Sequence, residues 1–278
     1  MTIEEFIAKA LEEDLGDGDH TSLSTIPKEA KGKARLLVKQ EGILAGVDIA
    51  KKVFNQVDPN LEIEIQIGDG SKIRPGDEAF YISGSSQSIV IGERLALNIM
   101  QRMSGIATHT NRLTQLIKGT KTKILDTRKT TPNFRYFEKL AVKIGGGHNH
   151  RMGLYDRVMI KDNHIDFAGG IEMAIRKVKN YLDEKGKNIP IEVEARNMEE
   201  IREILKVGGI DRILIDNFSP GETHEAIKLI DHKFETESSG GITEINIREY
   251  AETGVDFISI GALTHQVRSL DMSLKAMK

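Results

Sequence analysis

Alternation of apolar and polar positions marks the N-terminal part of the chain. Residues 61–67 alternate strictly, as expected for a strand with one face toward solvent. Comparable patterns predict strands over 34–40 and 78–83, a turn over 74–77 and a covering helix over 47–56. We therefore expect a small domain of strands and helices here.

A long helical pattern follows over residues 88–117. We expect it to be interrupted near Gly105, because glycine lowers the stability of a helix interior. The domain junction is expected on this segment, which divides the chain into residues 1–105 and residues 106–278.

From residue 123 onward, short apolar runs alternate with helical patterns, which predicts a parallel sheet with right-handed crossovers. The last four runs are about twenty residues apart, a spacing that indicates a β/α barrel. A complete barrel has eight strands, so either this barrel is incomplete or some strands lack a clear pattern. The six runs are 123–127, 157–161, 191–195, 212–216, 234–238 and 256–260.

Composition places the chain among soluble globular proteins, since 39% of its 278 residues are hydrophobic and 29% are charged. The lack of cysteine excludes disulfides, thiolate zinc sites and a cysteine nucleophile. The acidic segment 1–19 does not resemble a signal peptide, and no apolar run approaches the length of a membrane span. We expect a cytoplasmic protein with no membrane partner.

Charge is distributed unevenly along the chain. The net charge of −3 argues against nucleic acid as a partner, yet the window 121–161 carries +7 and the remainder −10. A local basic field in an acidic protein favours a site for a small polyanion. A solvated helix face would give the same run of charges.

Each predicted strand of the second part ends in a polar or glycine-rich stretch. A single polar residue after a strand is usually a turn or a helix cap, but six in succession favour a shared mouth, because barrel enzymes place functional groups at these ends. The stretches are Asp126–Thr131, Lys161–His164, Glu192–Arg196, Asp216–Asn217, Ser238–Gly241 and Gly261–Ala262.

The last two of these stretches point to phosphate, because glycine amides before a helix bind phosphate oxygens. Four cations, Arg128, Lys129, Arg151 and Lys161, point to a second anionic group. Glu194 and Asp216 would supply acids across the mouth, and such acids commonly hold Mg²⁺ beside a phosphorylated ligand. Alternatively, these two acids only pair with Lys161 and Arg128.

The motifs taken together resemble the quinolinate phosphoribosyltransferases, also called nicotinate-nucleotide pyrophosphorylases (carboxylating). The likeness runs in order from about Leu15 to Thr264. Asn133 departs from the family's usual glycine after Thr-Thr-Pro, and asparagine tolerates left-handed backbone well. The matching stretches are Gly92–Arg94, Ser104–Thr108, Thr127–Pro132, Gly145–Arg151, Met159–His164, Glu192–Glu194, Ile215–Phe218, Ser239–Gly241 and Ser259–Thr264.

The resemblance implies an α/β fold, with an N-terminal α/β sandwich domain followed by an open, incomplete β/α barrel. It implies a homodimer with shared active sites, in which phosphoribosyl transfer from phosphoribosyl pyrophosphate to quinolinate, with decarboxylation, gives nicotinate mononucleotide, pyrophosphate and CO2. Mg²⁺ is the implied cofactor.

The resemblance also implies roles for individual residues. Quinolinate would be bound by Arg128, His150, Arg151 and Lys161, with Arg94 supplied by the other subunit. Lys129, Glu194 and Asp216 would serve the phosphoribosyl side, the two acids holding the metal through water. Ser239, Gly240 and Gly261 would lie at the 5′-phosphate. The implied catalytic residues are Lys129, Lys161, Glu194 and Asp216.

Three other interpretations remain open at the level of sequence. The molybdenum-transport-associated homologue shares these motifs. A barrel lyase would use Lys161 as a Schiff base, which requires a depressed lysine pKa. A noncatalytic sensor of dinucleotide precursors would not need the full set of acids and bases.

Overall fold

The structure is a computed structural model that describes residues 1–277. The chain forms two compact units. The first comprises Met1–Asn111, Thr130–Gly146 and the residues from Leu263 onward, and the second comprises Arg112–Lys129 and Gly147–Ala262.

The first unit is built on a four-stranded antiparallel sheet with the strand order β12-β1-β5-β3. A two-stranded ladder, β2 with β4, accompanies it. The strands are β1 (Lys31–Val38), β2 (Gly42–Ile43), β3 (Glu62–Ile65), β4 (Lys72–Ile73), β5 (Glu78–Ser85) and β12 (Met272–Met277). The helices are α1 (Ile3–Leu15), α2 (His20–Thr25), α3 (Val47–Val57), α4 (Ser86–Leu116) and α5 (Arg135–Ile144).

The strands and the helix predicted for the N-terminal part are confirmed. The apolar face of α3 buries Val53 and Phe54, and the Phe54 ring meets Phe80 of β5 edge-on with 6.1 Å between centroids. The strictly alternating segment forms β3, an edge strand of the sheet. Its Ile65 is 40% exposed, so this edge is only partly covered.

The predicted interruption of the long helix at Gly105 is wrong, because α4 runs unbroken from Ser86 to Leu116. A Cβ at position 105 would lie 2.3 Å from the carbonyl oxygen of Arg268 and 3.0 Å from Val267. Glycine is present because another chain segment packs against this turn of the helix, and the helix itself is intact.

The second unit contains the six predicted strands in one parallel sheet with the order β6-β11-β10-β9-β8-β7. Its first strand, β6, pairs with its last, β11, as in a barrel, while β6 and β7 form the two edges. The predicted open, incomplete barrel is therefore confirmed. The strands are β6 (Lys123–Leu125), β7 (Val158–Ile160), β8 (Ile191–Ala195), β9 (Arg212–Asp216), β10 (Glu235–Ser239) and β11 (Phe257–Ser259).

Helices follow these strands, and their apolar faces form the outer core of the unit with the sheet. Ile175, Ile201 and Ile213 are completely buried in this cluster. The edge of β6 is extended by a single parallel bridge between Leu125 and His148. The helices that follow β7 to β11 are α6 (Asp162–Ala168), α7 (Ile171–Glu184), α8 (Met198–Val207), α9 (Pro220–Ile230), α10 (Ile247–Glu252) and α11 (Ala262–His265), and α11 belongs to the first unit from Leu263 onward.

Contacts group the chain differently from the contiguous division at residues 105 and 106. Strand β12 returns to pair with β1 along six residues. The segment Thr130–Gly146 also joins the first unit, where the buried Glu138 carboxylate accepts hydrogen bonds from Arg102 and from the Thr131 amide. The domain boundary proposed from the sequence stays a prediction. No helix within residues 1–277 is long and apolar enough to cross a membrane.

The contact at Gly105 predicts the sign of a substitution. Helix propensity alone would make Gly105→Ala stabilising by about 1 kcal/mol. Overpacking against a fixed main-chain carbonyl costs about 1–3 kcal/mol and should prevail. We expect Gly105→Ala to lower the melting temperature in calorimetry.

Gly221 provides the matched control, because it lies in α9 with nothing within 4 Å of an added Cβ. Gly221→Ala should leave the melting temperature unchanged or raise it. An equal gain from both substitutions would contradict the packing explanation for Gly105.

Candidate active site

Ten of the eleven residues predicted for the site belong to the second unit. The exception is Arg94, an exposed residue of α4 in the first unit. Within the second unit, the carboxyl ends of neighbouring strands bring Lys161, Glu194 and Asp216 to one edge of the sheet. This is the arrangement expected of a barrel mouth.

Glu194 and Lys161 form the acid–base pair at the ends of β8 and β7. The Lys161 Nζ lies 3.5 Å from Glu194 Oε2, and the Asp162 amide donates to Glu194 Oε1 at 3.4 Å. Burial raises the pKa of Glu194, Lys161 opposes this shift, and Asp216 adds to it. The mouth therefore holds a carboxyl group whose proton affinity depends on both of its charged neighbours.

Hydrogen bonds join the ends of β9 and β10, next to the pair formed by Glu194 and Lys161. Ser239 Oγ donates to Asp216 Oδ1 at 2.5 Å, and the Asn217 amide donates to the Ser239 carbonyl at 2.9 Å. Asn217 and Gly240 both have left-handed backbone, with φ of 59° and 90°. A Cβ on Gly240 would lie 2.1 Å from Asn217 Oδ1, so only glycine fits at this position.

The cationic side of the site is concentrated around Arg151. Its side chain is partly buried, and its Nη1 donates to the Arg157 carbonyl at 3.1 Å. Burial lowers the pKa of Arg151, and the charge of Arg128 lowers it further. A partly buried guanidinium, that of Arg151, beside the exposed guanidinium of Arg128 favours an anionic ligand, since an anion relieves their repulsion.

A cluster of buried charged side chains lies inside the open barrel. We call it the ionic layer; it comprises His150, Glu192, Glu237, Arg212 and Arg157. Glu192 and Glu237 are completely buried, and Arg212 is 5% exposed. Arg212 Nη1 donates to Glu237 Oε2 at 2.7 Å, and Arg157 Nη1 lies 3.7 Å from Glu192 Oε2.

His150 belongs to this ionic layer, with 5% of its side chain exposed. Burial alone would lower its pKa, but Glu192 and Glu237 outweigh burial and raise the pKa to about 9. The Arg151 amide donates to Nδ1 at 2.6 Å and so requires a lone pair on that nitrogen. In the neutral ring we assign the proton to Nε2, because the main-chain donor at Nδ1 is fixed and Nε2 faces the two carboxylates.

Asp126 holds the main chain of the segment that carries His150. It is completely buried at the end of β6. One carboxylate oxygen accepts the His150 amide at 2.9 Å, and the other accepts the Asn149 side-chain amide. Consecutive residues of this segment are therefore tied to the edge strand of the open barrel.

The sequence prediction of site residues missed five charged residues: Asp126, Arg157, Glu192, Arg212 and Glu237. A usable signal was present, because charged residues recur two or four positions apart in the strands: Glu192 and Glu194 in β8, Arg212 and Asp216 in β9, Glu235 and Glu237 in β10. Such a period places side chains on one face of a sheet. A strand buried on both faces normally carries apolar residues at these positions.

The predicted metal ligands have suitable chemistry. Glu194 and Asp216 offer only oxygen donors, which suit Mg²⁺ and leave room for waters and ligand phosphates in its shell. Among residues 1–277, the cluster of three ligand-type side chains is a different one, formed by His150, Glu192 and Glu237.

Comparisons with known proteins agree along nearly the whole chain. The family model for the quinolinate phosphoribosyl transferase N-terminal domain matches residues 19–104, and the C-terminal model matches residues 106–275. A mitochondrial quinolinate phosphoribosyltransferase (decarboxylating) of Nicotiana glauca is 44% identical, covering 98% of this chain and 82% of its own. A probable nicotinate-nucleotide pyrophosphorylase (carboxylating) of Bacillus subtilis is 42% identical, covering 94% of this chain and 89% of its own.

A solved structure also matches this chain along nearly its whole length. The crystal structure of NadC from Streptococcus pyogenes superposes with a TM-score of 0.93 at 35% sequence identity. The match covers 99% of this chain and 97% of that one. Both domain models, two relatives above 40% identity and a full-length structural match lead to one conclusion: the chain belongs to the quinolinate phosphoribosyl transferase family.

Proposed function

We propose that this chain transfers the phosphoribosyl group of phosphoribosyl pyrophosphate to quinolinate and releases CO2 and pyrophosphate, giving nicotinate mononucleotide for NAD biosynthesis. The observation that carries the proposal is the mouth of the second unit. There the Lys161 cation accompanies the acids Glu194 and Asp216 and the glycine loop at Gly240, and we infer that the neighbouring guanidinium groups of Arg128 and Arg151 serve the same ligand.

Quinolinate carries two carboxylates, and the cations account for its binding. Arg151 and Arg128 would hold the carboxylates with guanidinium forks, and Lys161 would add a point charge. His150 lies behind Arg151 and serves the same ligand through it. Fixing both carboxylates aims the ring nitrogen at the ribose carbon, which is catalysis by positioning.

The phosphoribosyl ligand would occupy the other side of the mouth. Ser239, Gly240 and Gly261 would surround the 5′-phosphate, where glycine allows the main chain to approach the oxygens. Lys129 would hold a pyrophosphate oxygen as a point charge. Glu194 and Asp216 would face the ribose carbon as positive charge develops on it and would stabilise that charge.

Mg²⁺ is part of the proposal, held through water by Glu194 and Asp216. When bound, it would supply positive charge to offset the charge of the departing pyrophosphate. After transfer, the quaternised ring nitrogen accepts the electron pair left by the adjacent carboxylate, and a proton replaces CO2 on that carbon. No covalent nucleophile is needed.

The geometry of Lys161 disfavours a Schiff-base lyase. Its ammonium lies 3.5 Å from the Glu194 carboxylate, and 47% of its side chain is exposed. An acidic partner and access to water both stabilise the charged form, whereas a Schiff-base lysine must be neutral to attack. The molybdenum-transport-associated homologue and a noncatalytic sensor are separated from the transferase by the assay below.

We further propose a homodimer in which Arg94 of one subunit completes the site of the other. Its position on an exposed face of α4 supports a role at an interface. Large apolar side chains near two of the strand ends also support a covering partner. Phe167, on α6 after β7, is 90% exposed, and Ile245, in the loop after β10, is 92% exposed.

The cytoplasm is the proposed location. Residues 3–15 form the capped helix α1, which buries Ile7 and Leu11 in the first unit. Such a segment is part of the packed fold of the first unit.

The proposed substrates can be tested by measuring formation of the pyridine mononucleotide and pyrophosphate. We expect nicotinate, which has one carboxylate, to be used with a kcat/KM about 100-fold lower than quinolinate, since part of the cation cluster stays unpaired. Chelation of Mg²⁺ should abolish turnover, and its return should restore it. Equal use of nicotinate would contradict the quinolinate assignment, and turnover after complete chelation would contradict the metal.

Sharing of the site between subunits can be tested by complementation. Arg94→Ala and Lys161→Ala chains should each be inactive, but mixed dimers should recover activity, because one of their two sites contains an intact Arg94 and an intact Lys161. Mixed dimers purified with two different tags give the measurement. No recovery in such dimers would place Arg94 in its own subunit's site or outside any site.

The two sides of the mouth should respond separately to substitution. Arg151→Ala should weaken quinolinate binding by about 1.5–3 kcal/mol, the scale of a hydrogen bond to a charged group, with little effect on phosphoribosyl pyrophosphate. Gly240→Ala should do the reverse, because its side chain forces the loop away from Asn217. Calorimetric titration of each folded variant with each ligand gives the comparison.

Gly241→Ala is the matched control for the loop. Gly241 also has left-handed backbone, with φ of 64°, but an added Cβ there meets nothing within 4 Å. The Gly241→Ala variant should therefore bind phosphoribosyl pyrophosphate more tightly than the Gly240→Ala variant does. Loss of the phosphoribosyl ligand in Arg151→Ala, with quinolinate retained, would invert the assignment of the two sides.

A further inference from the structure

Both ring nitrogens of His150 are engaged by the protein. Nε2 lies 3.1 Å from Glu192 Oε2 and 3.4 Å from Glu237 Oε2. Nδ1 accepts the amide hydrogen of Arg151 at 2.6 Å. The ring therefore connects two buried carboxylates on one side to the main chain of Arg151 on the other.

The two carboxylates would repel each other without compensating charge. Arg212 supplies it, donating Nη1 to Glu237 at 2.7 Å and Nη2 to Glu235 at 2.8 Å. Its guanidinium also stacks on the Phe257 ring at 3.9 Å. Arg157 stands near Glu192, so each buried acid has a guanidinium beside it.

A metal ion is not needed to explain the cluster. The ligand atoms of His150, Glu192 and Glu237 lie within 4.8 Å of one another, which is close enough for a shared cation. However, the same oxygen of Glu237 that faces His150 already accepts from Arg212. The guanidinium is the cation that balances this cluster.

Buried ion pairs of this kind are often no more stabilising than apolar side chains of similar volume. Stability alone therefore gives little reason for such a cluster in the interior of a sheet. Through the His150 ring the cluster is connected to the main chain of Arg151, whose guanidinium lies near Arg128 and also donates to the Arg157 carbonyl.

We propose that Glu192 and Glu237 are positioning residues that hold the His150 ring, so that Nδ1 fixes the main chain of Arg151 and thereby aims its guanidinium at quinolinate. Outer hydrogen-bond partners of this type hold a ligand-binding group in its productive geometry. The inference rests on the proposed transferase function.

The test compares Glu192→Leu and Glu192→Gln in steady-state assays with each substrate varied in turn. Leucine removes the nearer of the two acceptors for Nε2. The kcat/KM for quinolinate should therefore fall about ten- to hundredfold, while the KM for phosphoribosyl pyrophosphate changes less than about twofold. Glutamine keeps an acceptor oxygen and should recover most of the loss.

Glu235→Leu is the matched control, because Glu235 also pairs with Arg212 but is 50% exposed, whereas the carboxylates that face Nε2 of His150 are those of Glu192 and Glu237. Its kinetics should match the parent chain within about twofold. A loss in Glu235→Leu equal to that in Glu192→Leu would assign the effect to Arg212 and overturn the proposal, as would an equal loss for both substrates.

A double-mutant cycle tests whether Glu192 acts on Arg151 through the His150 ring. His150→Asn keeps a side-chain oxygen for the Arg151 amide but cannot reach the glutamates. In the His150→Asn background, Glu192→Leu should lower the kcat/KM for quinolinate by less than about twofold further, because the effects of residues that act through one another are not additive. Full additivity would contradict a path through His150.

Nitrogen NMR of the parent chain supplies a readout that is independent of activity and of variant folding. The spectra are recorded as the pH is raised until the His150 ring, identified by the signal lost in His150→Asn, is neutral. The neutral ring should show a pyridine-type Nδ1 and a protonated Nε2. A neutral ring with the proton on Nδ1 would overturn the proposal. A parent chain that shows this tautomer but does not turn over quinolinate would instead refute the proposed function.

Discussion

Two carboxylates buried inside a parallel sheet, those of Glu192 and Glu237, are stable only beside cations or hydrogen-bond donors. Arg212 and the His150 ring supply these partners, and the interior of the sheet is filled with ionic groups where a barrel usually has aliphatic layers. The next inward position of β8, two residues further along, belongs to Glu194, which lies at the mouth. The ionic layer therefore separates the reactive end of the barrel from its base.

Much of the fold could be predicted because the second unit is built from repeated local patterns. The apolar runs 191–195 and 212–216 coincide with β8 and β9 at both ends. Long-range pairing was beyond a local pattern, since β12 has no signature that would assign it to β1. Gly105 was misinterpreted for a related reason: a glycine required by a distant carbonyl looks the same in sequence as one that breaks a helix.

The candidate site could be predicted at the strand ends and missed below them. Parallel strands bring their carboxyl ends to one edge whatever their register, so Lys161, Glu194 and Asp216 meet without further information. The ionic layer depends on register, which pairs Glu192 with Arg212 across β8 and β9. Alternating charges in the strands predict charged groups inside the barrel. Only the register of the strands shows which acid pairs with which base.

Phosphoribosyl transfer by this chain should be coupled to the loss of one particular carboxylate of quinolinate. The decisive measurement uses quinolinate labelled in the carboxylate next to the ring nitrogen. We expect one equivalent of labelled CO2 for each pyrophosphate formed, none without phosphoribosyl pyrophosphate, and none when the label is in the other carboxylate. Release of CO2 without phosphoribosyl pyrophosphate, or pyrophosphate formation without CO2, would contradict it.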